Sequence, residues 1–170
     1  MFVPFHTLPA TSRVWIYQCS RVLTASEQVE LQNALGDFIS TWIAHQAGLK
    51  GSAEIRHGLF VIIAVDEGHN HASGCSIDKS VHFMKEAGKH LGIDFFDRLT
   101  AACMNPDGSV VIFKAHQIAS LLEQGVVQND ATLFNNLIES MEALNHKWMV
   151  PMSESWLSNF LPKENQHPKQ

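Results

Sequence analysis

The sequence predicts an α+β or α/β fold: a mixed sheet of about five strands with helices mainly on one face, resembling a split β-α-β unit with an extra helix. Three observations carry this expectation. Apolar, β-branched runs at residues 13–23 and 59–65 alternate with stretches whose apolar residues recur at helical spacing. Asn105-Pro-Asp-Gly108 divides two further strand-like runs in the manner of a hairpin turn. The 170 residues, 45% apolar and 17% charged, suffice for one packed core. A single domain is expected over residues 12–161, with tails at 1–11 and 162–170.

The first strand is expected within residues 13–23, rich in aromatic and β-branched side chains. Thr24-Ala-Ser-Glu27 has the spacing of a capping box, in which a hydroxyl serves one orphan amide and a carboxylate reaches back to another. Leu31, Leu35, Phe38, Ile39 and Trp42 then follow on one helical face, and this helix is expected to end near Gln46, before Gly48. Residues 54–65 are expected as one strand, and the unbroken apolar run 59–65 marks it as central and covered on both faces. A second helix is predicted over 76–91, with Ile77, Val81, Met84 and Leu91 inward and Gly88 as a weak point costing about 1 kcal/mol relative to alanine. A hairpin over 98–104 and 109–113 comes next, then a helix over 115–124 stopped by Gly125. A last strand is read at 132–138 and a helix at 139–147. Residues 148–160 bring aromatic side chains back to the body, with Ser153-Glu-Ser-Trp156 as a capping segment.

Charge and cysteine usage narrow the partners. Lysine and arginine number 12 against 17 acidic residues, a net charge of −5, so no nucleic-acid partner is expected. No apolar stretch approaches the roughly 18 residues that span a bilayer, so no membrane partner is expected. The start of the chain lacks a basic region and carries Pro4 and Pro9, which makes a poor secretory signal. Three dispersed cysteines, Cys19, Cys75 and Cys103, do not form a disulfide framework. A cytoplasmic protein is the expectation. A homodimer is open only because dimers are the commonest assembly.

The segment from Asp66 to Asp78 concentrates the residues able to do chemistry. An apolar strand ending in Asp66-Glu67 has the form of a magnesium-binding strand of nucleotide hydrolases, which requires a glycine-lysine phosphate loop. The nearest approximation, Gly74-Cys-Ser-Ile-Asp-Lys79-Ser80, follows the strand instead of preceding it and puts Asp78 where the second glycine belongs. A carboxylate there repels phosphate, so ATP hydrolysis is not expected. A thiol site is a second possibility. Cys75 falls at the start of the second helix, where free amides and the helix dipole favour a thiolate, and His69 or His71 would act as base, oriented by Asp66 or Glu67. Asp78 opposes a second anion there, and a small cysteine packing a tight junction with Ser76 as cap is the simpler alternative. A metal site is the third. His69, His71 and Cys75 lie within seven residues with Asp66 as a possible fourth ligand, but structural zinc sites draw ligand pairs from separated segments, which here would require His45, His57 or His116. No metal and no cofactor is therefore expected. Trp42, His45 and Trp148 could line a pocket, and Asn135-Asn136 would need polar partners if buried.

Val14-Trp-Ile-Tyr17, Trp42 with His45, Val65-Asp66-Glu67, Ser73-Gly-Cys-Ser-Ile-Asp78, Phe95-Phe-Asp-Arg98, Phe134-Asn-Asn-Leu137 and Ser155-Trp156 together resemble a family of small bacterial proteins often labelled "ABC transporter ATPase". The resemblance spans most of the chain and implies a cytoplasmic bacterial protein. It brings no activity, and the missing phosphate loop argues against the label. The expectation is a small-ligand or protein-binding module centred on residues 66–78, with Asp66, Glu67, Ser73, Gly74, Ser76 and Asp78 as ligand contacts. The alternative is a thiol-dependent enzyme using Cys75 with His69 or His71.

Overall fold

A computed structural model describes residues 1–44, 47–68 and 72–163. In chain order its elements are β1 (Arg13–Gln18), α1 (Ala25–Thr41), β2 (Ile43–Ala44), β3 (Ala47–Gly48), β4 (Lys50–Arg56), β5 (Phe60–Asp66) and α2 (Gly74–Leu91). There follow β6 (Thr100–Met104), β7 (Val110–Lys114), α3 (Ile118–Glu123), β8 (Thr132–Phe134), α4 (Met141–Lys147) and β9 (Met149–Pro151). The class is α+β. Among the described residues the strands form two antiparallel sheets, β1-β5-β4 and β7-β6-β8-β9, with β2-β3 as a short separate ladder, in place of one mixed sheet. The chain divides into two compact units, 1–96 with 136–145, and 97–135 with 146–170.

In the first unit β5 is the central strand, flanked by β1 and β4 in antiparallel register. Every residue from Phe60 to Val65 is fully buried, as the apolar run requires of a strand covered on both faces. The expected single strand over 54–65 is instead a hairpin. His57 and Gly58 both have positive φ, 55° and 58°, and the Leu59 N–H donates to the Arg56 carbonyl at 3.0 Å. That is a two-residue turn of the mirror-image type that strand twist favours. The capping box forms: the Glu27 N–H donates to Thr24 Oγ1 at 3.2 Å and the Thr24 N–H to Glu27 Oε2 at 2.8 Å. Leu31, Leu35 and Ile39 are buried as expected, but α1 stops at Thr41, where Trp42 turns into extended backbone instead of continuing toward Gln46.

The start of the chain is no tail. The Met1 amino group donates to the Leu49 carbonyl at 2.6 Å, the Val3 N–H to the Gly51 carbonyl at 3.0 Å, and Leu8 is buried. The buried face of α2 also lies one position from the expected stripe. Ser76, Ser80, Met84 and Gly88 point inward, whereas Ile77, Val81 and Leu91 are only half-buried. Small residues at four-residue spacing allow the helix to approach closely. At Gly88 a Cβ would stand 2.6 Å from the Ile93 carbonyl oxygen and 3.2 Å from the Phe95 ring.

In the second unit the Asn105–Gly108 turn joins β6 and β7 as the sequence predicts, with Gly108 at φ 84°. The buried Asn105 side chain donates to the Val126 carbonyl at 3.0 Å and accepts from the Gln128 N–H at 2.9 Å. Cys103, Phe113, Ile118, Leu133, Met152 and Leu157 form the core of this unit. Lys114 bonds to both Asp97 and the Thr100 hydroxyl. Its ammonium, followed by the Leu99 N–H, holds the Asp97 carboxyl down at about 2, from an ordinary 3.8. Among the described residues no helix is long and apolar enough to cross a membrane.

Two outcomes follow from this packing. Gly88→Ala raises intrinsic helix propensity by about 1 kcal/mol but forces a clash with backbone. A net loss of stability of about 1–3 kcal/mol is expected from overpacking, and a higher melting temperature would contradict it. Because the folded-state value of Asp97 is depressed, its contribution to stability is present above pH 4 and lost as pH falls toward 2. Carboxyl-carbon NMR of Lys114→Met is expected to find Asp97 titrating closer to the ordinary aspartate range.

Candidate functional site

The segment expected to carry function is a strand-to-helix junction in the first unit, and its polar groups are used to fold it. Asp66, at the end of β5, accepts from the Gly68 N–H at 3.0 Å through Oδ1 and pairs with Lys50 at 3.5 Å through Oδ2. Glu67 accepts from the Ala72 N–H at 2.8 Å, closing the loop onto itself, and lies 4.0 Å from the Arg13 guanidinium. His69 and His71 fall outside the described residues, as does His45. Among the described residues no group of three or more His, Cys, Asp or Glu is arranged to hold a metal ion.

Ser73, not Ser76, caps α2. Its Oγ accepts from the Ser76 N–H at 3.2 Å, while the Ser76 hydroxyl turns back and donates to the Ser73 carbonyl at 2.8 Å. A serine fully enclosed in a first helical turn needs such a local partner. Gly74 is the first helical residue and Cys75 the second, and both are exposed. The tight-junction alternative for Cys75 therefore fails: the side chain in the junction is Ser76, 1% exposed, and the thiol faces solvent. The other two thiols are buried, and burial pushes Cys19 up to about 12 and Cys103 up to about 11. Any thiol chemistry of the folded chain thus falls to Cys75. His82 shares its helical face but stands seven residues on, about 10 Å along the axis, too far for direct proton transfer.

Beside the junction, α1 and α2 leave a groove between them. A cavity of about 690 Å³ is lined by Phe38 and Thr41 from α1, by Trp42 just after it, and by Asp78, Lys79, His82, Phe83 and Glu86 from α2. Its floor is aromatic. Phe38 stacks on Phe83 with centroids 4.7 Å apart and 19° between planes, and Trp42 tilts against Phe38 at 5.1 Å. Trp42 is itself buried and donates its indole N–H to the Ser76 carbonyl at 2.8 Å. That bond ties the end of α1 to the first turn of α2. The side chains of Asp78, Lys79 and His82 make no hydrogen bond or ion pair among the described residues. Of the residues singled out from the sequence, Asp78 and Trp42 therefore reach this groove, whereas Asp66, Glu67, Ser73 and Ser76 build the adjoining turn.

Sequence reasoning missed Phe83, His82, Glu86 and Thr41. The available signal was Phe83, an aromatic residue off the inward stripe of its own helix. Trp148 lies in the second unit, against Phe134 at 5.0 Å, and Trp42 in the first. Asn135 and Asn136 are half-buried, and the Asn136 amide donates to Gln18 Oε1 at 2.9 Å. No protein family, curated protein or solved structure matches the chain.

The three thiols are expected to separate cleanly in solution. Iodoacetamide applied to the native protein should label Cys75 alone, with Cys19 and Cys103 modified only after denaturation, as read by peptide mass spectrometry. Native labelling of either buried thiol at a comparable rate would contradict the burial described above.

Proposed function

We propose that the chain is a binding module whose recognition surface is the α1/α2 groove together with the adjoining segment 66–78. One observation carries this: an aromatic floor left open between two helices and rimmed by Asp78, Lys79 and His82, whose side chains make no hydrogen bond or ion pair among the described residues. Ligand sites combine an apolar floor with a few polar groups at the rim, which is the composition of this groove. The volume of about 690 Å³ falls within the roughly 300–1,000 Å³ of small-molecule sites. A ligand or a protein segment is the partner, not nucleic acid, since the net charge is −5. Unpaired thiols, one of them exposed, suit a reducing compartment such as the cytoplasm. ATP hydrolysis forms no part of this function: residues 74–80, which would have to loop around phosphate, are helical.

The exposure of Cys75 favours a second function, a thiol-dependent reaction with Cys75 as nucleophile at the start of α2. The base would be His69 or His71.

A neutral environment-sensitive dye such as Nile red tests the groove directly. Saturable binding to the native chain is expected, weakened roughly tenfold or more, about 1.4 kcal/mol, by Phe83→Asp and unchanged by Glu123→Gln in the other unit. Circular dichroism confirms that each variant is folded. Dye binding indifferent to Phe83→Asp would sink the groove as the recognition surface.

A further inference from the structure

We propose that the occupant of this groove is a basic amphipathic helix of a protein partner, an inference that rests on the groove being the recognition surface. Length is the first argument. A second cavity of about 250 Å³ continues the first, and the two share Phe83 and Glu86. From Asp78 to Leu91 the α2 wall runs thirteen residues, about 20 Å at the rise of an α-helix. The α1 wall runs from Glu30 to Trp42, nearly as far, in the opposite direction. A compact small molecule fills only the wider end, whereas a helix of about 14 residues matches the full length.

The make-up of the floor is the second argument. Beyond the Phe38–Phe83 stack the lining passes to Ala34 and Ala87 together with Leu31 and Leu91. An aromatic stretch followed by an aliphatic one suits apolar anchors at i, i+3 or i+4, and i+7 on an incoming helix.

Charge complementarity is the third and selects the sign. Glu30, Asp78 and Glu86 line the two cavities against Lys79 as the single lysine, with His82 and His90 beside them. The α1 wall belongs to a helix with Glu27, Glu30 and Asp37 and no lysine, arginine or histidine. Glu86 is paired with Lys89 at 2.6 Å and Glu30 with His90 at 2.7 Å, which leaves Asp78 as the lining carboxylate and Lys79 as the lining ammonium without a partner among the described residues, in a lining that holds three carboxylates against one lysine. Lysine or arginine flanking the anchors of the incoming helix would meet Asp78 at the wide end.

Fluorescence anisotropy with two labelled peptides of about 14 residues tests this on the full chain: a leucine/lysine amphipathic helix and its leucine/glutamate counterpart, with Nile red in parallel. The lysine peptide is expected to bind at least roughly tenfold more tightly than the glutamate peptide, with an affinity that falls as salt is raised. Asp78→Lys should weaken the lysine peptide several-fold and strengthen the glutamate peptide, and Glu123→Lys, in the other unit, should change neither. Dye binding that depends on Phe83, with no preference between the peptides, overturns the helix and leaves the groove as a small-molecule site. If neither dye nor peptide depends on Phe83, the recognition surface itself is wrong. Equal effects of Asp78→Lys and Glu123→Lys mean that the peptide follows net charge alone, which also overturns the proposal. So does self-association of the chain that Phe83→Asp abolishes, because a second copy then occupies the groove.

Discussion

The indole N–H of Trp42 reaches the carbonyl of Ser76 at 2.8 Å, inside the protein, and most of the candidate site depends on that bond. A buried indole donor without a partner costs about 1–3 kcal/mol, so the site that accepts it is strongly constrained. Here the acceptor lies in the first turn of α2 and the donor is the residue at which α1 ends. The bond thereby fixes two helix termini at once. It also holds the Trp42 ring against Phe38 and at 6.1 Å from Trp15 of β1, connecting the helix pair to the sheet. The tryptophan is thus a scaffold beneath the groove, and the rings of Phe38 and Phe83 form the surface above it.

The sheet under this pair is organised by β5. Its residues 60–65 are entirely enclosed. β4 comes close beside it: a Cβ on Gly51 would stand 2.9 Å from the Ala64 carbonyl oxygen and 3.6 Å from Ile39 of α1. Only at Asp66 does the strand reach polar surroundings, and there the chain turns through Glu67 and Ala72 into the Ser73 cap. The polar residues of the junction are therefore committed to closing a loop and starting a helix. The side chains left without such a role lie further along α2, from Asp78 onward, where we propose the groove part of the recognition surface.

Features that depend on neighbouring residues were legible in the sequence. The Thr24–Glu27 capping box, the Asn105–Gly108 turn and the burial of the run ending at Val65 each follow from local chemistry and came out as expected. The His57-Gly58 turn did not, because His-Gly is not one of the Asn-Gly or Asp-Gly pairs that mark a two-residue hairpin turn most strongly. The inward face of α2 was misplaced for a different reason. Hydrophobicity picks out Ile77 and Val81, but close approach favours Ser76, Ser80 and Gly88, and that preference comes from the packing surface and not from the helix itself. The groove is a relation between two helices distant in sequence, so only single residues of it, such as Phe38, Trp42 and Asp78, could be named beforehand, and Phe38 only as part of a helical face. The Asp66–Ser76 constellation looked chemical because caps, loop closures and active sites draw on the same residue types.

Hydrogen exchange at the indole N–H of Trp42, followed by NMR and assigned by its loss in Trp42→Phe, bears most directly on the claim that this one bond locks α1 to α2. The account requires protection comparable to that of the β5 backbone amides, and a Trp42→Phe variant in which the amides of the first turn of α2 exchange faster. An indole proton that exchanges at the rate of an exposed tryptophan, or a variant whose α2 amides are unchanged, would contradict it.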